Sequence, residues 1–154
     1  MFFVSDRKEL KERRIQETLI REPMIAVLLA AANVEWTIGR SILMFSESPN
    51  MDVRDSLDQT HGLKKYKELW KRELQLRDPS FLGLASVINE WDQFCVAFDL
   101  RHKLIHGRGT CTRNMATNPV SRMLWAVGDL YTFAESRGVD LNSRPKIRRR
   151  KRDA

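Results

Sequence analysis

No apolar run in this sequence approaches the roughly 20 residues needed to cross a bilayer. The longest, Met24 to Val34, is closed off by Asn33 and Glu35, so no membrane partner is expected. The first residues, Met1-Phe2-Phe3-Val4-Ser5-Asp6, lack a basic segment and have too few apolar positions for a secretory signal, which points to a cytoplasmic protein. Cysteine is scarce. Cys95 and Cys111 are the only two, without metal-ligand spacing, which excludes a disulfide framework and suits a reduced compartment. No run alternates apolar and polar residues in the manner of a strand, and no internal repeat stands out.

A basic body is missing as well. The net charge of +7 rests on Arg144, Lys146, Arg148, Arg149, Arg150, Lys151 and Arg152, and residues 1–143 hold 20 cations against 19 anions. The expected organisation is one helical domain over 1–143, followed by a disordered basic tail over 144–154. That tail either adds affinity for a polyanion or simply solubilises. The nearly neutral body argues against a dedicated DNA-binding domain. A chain of 154 residues buries roughly 70% of its unfolded surface, enough for a core without staples.

What is present is helical periodicity almost throughout. Asp6 and Glu9 suggest a capping box opening a charged helix that runs to about Arg21, where Pro23 interrupts. An apolar helix from Met24 to about Phe45 carries Ile25, Leu28, Leu29, Ala32, Trp36, Ile42 and Leu43, and Ser46 to Asn50 reads as a loop. Asp52 to Arg77 is more polar and split by Gly62, with Leu63, Tyr66, Trp70 and Leu74 on one face amid lysines. One long helix is expected from Ser80 to Gly107, and a last one with Asn118 as cap, Pro119 at its first position and Gly138 at its end. The fold class is all-α, a bundle of four or five helices.

The run Leu100-Arg101-His102-Lys103-Leu104-Ile105-His106-Gly107 carries the chemistry. Arginine offers a rigid donor fork matching two phosphate oxygens, and histidine titrates near neutral pH, so the pair can hold a phosphate and move a proton. At about 100° per residue, Leu84, Val87, Ile88, Trp91, Cys95, Phe98 and Ile105 form a stripe with His102 in its middle. Arg101 and His106 flank it, about 140° apart. The alternatives are structural: an Arg101 salt bridge to Asp99 or Glu90, a dipole-favoured His106 and a core His102. Val96, Leu100 and Leu104 form a second patch on the opposite side, from which a homodimer sharing one composite active site is expected.

At these residues the sequence resembles the HEPN superfamily (higher eukaryotes and prokaryotes nucleotide-binding), whose ribonuclease members carry Arg, a polar residue, about three variable residues and His. The resemblance implies a metal-independent endoribonuclease without cofactor, often a toxin or defence component acting on tRNA or mRNA and held by an antitoxin or regulatory protein. It assigns catalysis to Arg101 and His106. His102 stands as a third polar group. Gly107-Arg108-Gly109 departs from members paired with a small nucleotidyltransferase, which often carry a tyrosine there, so that partner is not implied. Lys103, Arg108 and Arg113 are the expected RNA-backbone contacts, and Glu35 is a supporting carboxylate that needs a partner if buried. His102 and His106 have zinc-helix spacing, but Lys103 replaces the glutamate and no third ligand is evident, so no metal is expected. The competing classes are an inactive HEPN-like module that binds a protein or nucleotide, and a helical nucleic-acid binder without chemistry.

Overall fold

The computed structural model describes residues 7–151, and among them every regular element is helical. They are α1 (Lys8–Arg21), α2 (Pro23–Phe45), α3 (Asn50–Asp58), α4 (Leu63–Trp70) continued by a π-helical turn (Lys71–Gln75), α5 (Leu84–Val87), α6 (Trp91–Ile105) and α7 (Arg113–Ser136). Seven α-helices thus stand where four or five were expected. The chain divides into two compact units, one holding the described residues up to Trp36 with Ile88–Asp129, the other Thr37–Val87 with the described residues from Leu130 onward. Asp6 of the expected capping box lies outside the described residues.

In the first unit, α1 buries Lys11, Ile15 and Leu19 at successive helical turns, and the amide of Glu22 closes the helix on the Thr18 carbonyl. Pro23 then opens α2, where its missing N–H costs nothing. The Lys11 ammonium is buried 3.4 Å from the centroid of the Trp36 ring, a cation–π contact that reaches about 2 kcal/mol when desolvated. By length and composition α2 could cross a membrane. Its most apolar window is 61% buried inside the protein, and Asn33, Thr37 and Ser41 are buried along it, which are the properties of a core helix.

The expected helix from Ser80 to Gly107 is broken. Residues 88–90 separate α5 from α6, and Glu90 adopts a left-handed φ of 52°. Tertiary bonds hold that break: Glu90 pairs with Arg122, and Asp129 accepts from the Asn89 amide and side chain at 2.9 and 3.1 Å. Because α6 restarts at Trp91, its phase is not continuous with α5. Its core face is Phe94, Ala97, Phe98 and Leu104, while Ile105 is 54% and Val96 75% exposed. Helix α7 also departs from expectation, since Thr112 caps it through a 3.3 Å bond from the Met115 amide, leaving Pro119 inside the helix.

In the second unit Trp70 is fully buried, its indole N–H donating to the Leu82 carbonyl at 2.9 Å, and Phe45, Phe81 and Phe133 cluster beside it. The π-helical turn closes with a bond from the Leu76 amide to the Lys71 carbonyl at 3.0 Å. It carries the buried Glu73, whose carboxylate accepts from the Ser46 and Ser48 hydroxyls, each at 2.8 Å. Tail residues expected to be free are instead fastened at Lys146, Arg148 and Arg150. Asn50 donates its amide to the Arg148 carbonyl, accepts the Arg148 amide on Oδ1 and donates Nδ2 to the Lys146 carbonyl. The Arg148 guanidinium caps the Leu43 and Ser48 carbonyls, each at 2.7 Å, and burial pulls its pKa below the usual value against the opposing charge of Glu73.

Candidate active site at the end of helix α6

The chain reverses directly after His106 because the last turn of α6 closes in a Schellman arrangement. The Gly107 amide bonds the Leu104 carbonyl at 3.1 Å and the Arg108 amide bonds the Lys103 carbonyl at 2.9 Å. Gly107 supplies the left-handed φ of 63° that this requires. His106, still bonded through its amide to the His102 carbonyl, is left exposed at the rim. Gly138 ends α7 with the same pair of bonds, as its place in the sequence suggested.

His102 is exposed rather than lodged in a core stripe, and the broken helix explains why. A stripe drawn continuously from Leu84 puts His102 inward, whereas the restarted α6 turns Arg101 and Leu104 toward the core side and His102 outward. The two imidazoles stand with ring centroids 4.3 Å apart at 60°. On the same helix Arg101 lies 3.5 Å from the Glu35 carboxylate, with side chains 30% and 21% exposed. Its guanidinium carbon is 5.7 Å from the Phe98 ring centroid. Glu35 therefore has the cationic neighbour that its place on an apolar helix demanded. The anions first considered for Arg101 are engaged elsewhere, Asp99 with Lys103 at 3.5 Å and Glu90 with Arg122.

Among the described residues no hydrogen bond or ion pair joins Arg101 to His106, in keeping with the roughly 140° between them around the helix. What the fold brings together is His102 with His106, and Arg101 with Glu35 and Phe98. The Phe98 contact escaped the sequence reading, though a Phe three residues before an Arg on one helix is its signal. Arg108 and Arg113 are exposed at the two ends of the loop joining α6 to α7, and Lys103 is exposed on α6. The positive groups Lys103 and Arg108 suit the negative end of the α6 dipole. Among the described residues no three His, Cys, Asp or Glu side chains cluster as metal ligands.

Chemically the site offers two adjacent solvent-facing imidazoles and a guanidinium steadied by a carboxylate and an aromatic face. Such a set can move a proton on and off a substrate beside a bound anion without further groups. Comparison with protein-family models, with curated proteins and with solved structures finds no match for this chain.

Proposed function

We propose that the chain is a HEPN-like, metal-independent endoribonuclease. The observation that carries this reading is the pair of exposed imidazoles, His102 and His106, 4.3 Å apart and one residue from an arginine braced by Glu35. RNA supplies its own nucleophile. One imidazole takes the 2′-hydroxyl proton as O2′ bonds to the adjacent phosphorus, the P–O5′ bond breaks, and an imidazolium protonates the departing O5′. The products are a 2′,3′-cyclic phosphate and a 5′-hydroxyl. Arg101 neutralises the charge growing on the phosphoryl oxygens, and a preplaced guanidinium does so with little reorganisation. Lys103, Arg108 and Arg113 hold the flanking backbone.

The wider reading is a toxin or defence enzyme acting on tRNA or mRNA, paired with an antitoxin or regulatory protein, and all-α in the HEPN manner. A second copy packed over exposed Val96 would set each Arg101 near the other chain's histidines and complete a composite site. Light scattering tests that part, and an active monomer removes it. The main test incubates total RNA in chelator with the wild type and with Arg101→Ala, His102→Ala and His106→Ala. Cleavage by the wild type, reduced at least about 100-fold in each of the three variants, is expected. Cleavage that needs added metal, or equal activity in all four proteins, contradicts it.

A further inference from the structure

The cationic excess is not spread evenly. The described residues of the second unit carry fifteen Lys and Arg against nine Asp and Glu, whereas those of the first unit, with Arg101 and His106, carry eleven against nine. Within the second unit the tail is a fastened strip. Arg148 is half-buried and bonded to Leu43 and Ser48, Arg150 pairs with Asp52, and Asn50 clasps the backbone at Lys146 and Arg148. Between and beyond these anchors Arg149 and Lys151 are exposed, as are Arg144 and Lys146. Among the described residues none of these four side chains has a hydrogen-bond or ion-pair partner. Side chains bonded to the fold at 148 and 150 thus alternate with exposed cations at 149 and 151.

We infer that the fastened tail, through Arg144, Lys146, Arg149 and Lys151, is a preordered docking strip for the phosphodiester backbone of single-stranded RNA. The inference rests on the proposed function only for the choice of RNA. Fixing the backbone in advance removes ordering entropy that a free polycationic tail would lose on binding. The anchoring residues neutralise no phosphate; Asn50 acts only by positioning.

The test measures anisotropy of a labelled single-stranded RNA 20-mer with the full chain carrying His106→Ala, across a salt series. Each cation that neutralises a single-strand phosphate contributes about 0.7 to the slope of log affinity against log salt. Arg149→Ala/Lys151→Ala should therefore lower that slope by about 1.4 and weaken binding about 25-fold at 0.1 M salt. Asn50→Ala should weaken binding several-fold with the slope unchanged. Should it lose helix by circular dichroism, the double variant alone decides, since its side chains are exposed and have no partner among the described residues. An unchanged slope in the double variant, undiminished affinity in a folded Asn50→Ala, or binding to anionic lipid vesicles but not to RNA overturns the inference. Binding with these properties from a wild type that cuts nothing leaves the strip standing and removes the ribonuclease reading.

Discussion

Removing the Glu73 carboxylate perturbs one well-defined network in the second unit. Its side chain is 8% exposed and accepts from the Ser46 and Ser48 hydroxyls at 2.8 Å each. A hydrogen bond to a charged group contributes about 1.5–3 kcal/mol. Both bonds belong at the low end of that range, because Ser46 Oγ also accepts from the Ser48 amide at 3.0 Å and Ser48 Oγ accepts from Arg77 at 2.7 Å. The ion pairs to Arg72 and Arg77 involve guanidinium side chains 59% and 42% exposed and add less than about 1 kcal/mol. Glu73→Ala should thus cost about 3 kcal/mol, a lowering of Tm by about 6–12 °C for a chain of this size. Glu73→Gln, which keeps volume and one acceptor, should cost about half as much. Burial alone would raise the Glu73 pKa, but the two serine hydroxyls, then Arg77 and Arg72, outweigh it and hold the carboxyl below its usual value. A depressed carboxyl contributes stability in full above its unfolded pKa of about 4.3 and loses it as pH falls through the folded value. Urea denaturation followed by circular dichroism should therefore show the gap between wild type and Glu73→Gln narrowing below about pH 4.3. A glutamine variant as stable as the wild type at pH 7, or a gap independent of pH, would refute this reasoning.

Three further outcomes follow from particular geometries. Gly107→Ala meets no atom within 4 Å, so its cost is the left-handed φ alone, about 1 kcal/mol, read as a Tm lowered by a few degrees with cleavage reduced as His106 shifts; an unchanged Tm argues against the cap. Pro119→Ala restores an amide opposite the Met115 carbonyl inside α7 and should raise Tm, whereas a lowered Tm would mean that the proline stabilises the helix start. Glu35→Gln leaves helix content intact and lowers kcat about tenfold, equivalent to about 1.4 kcal/mol of lost positioning of Arg101; unchanged turnover removes Glu35 from the site.

Local punctuation made much of the helical layout legible. Pro23, Gly62, Gly107 and Gly138 fall where elements change, because each acts through its own backbone limits, and the apolar face of Tyr66, Trp70 and Leu74 is buried as its spacing requires. The breaks that escaped are tertiary in origin. Nothing local to Ile88-Asn89-Glu90 stops a helix; Asp129 and Arg122, some forty and thirty residues away, hold the strained turn. Missing that break rotated the whole α6 stripe and put His102 in the wrong environment. Asn118-Pro119 imitates a helix start, but Thr112 had the hydroxyl in place six residues earlier. The basic tail reads as free by composition, and its fastening depends on Asn50, nearly a hundred residues away. At the site, residue types and spacing were readable, while the partner of Arg101 was not, since Glu35 lies sixty-six positions upstream.

The most direct test of the account is the chemistry of the ends that the wild-type chain leaves on RNA in the presence of chelator. Attack by the 2′-hydroxyl, with His102 and His106 moving the protons and Arg101 on the phosphate, predicts 2′,3′-cyclic phosphate and 5′-hydroxyl ends that vanish with His106→Ala. Ends bearing 5′-phosphate and 3′-hydroxyl, or cyclic phosphate ends that persist in His106→Ala, would contradict it.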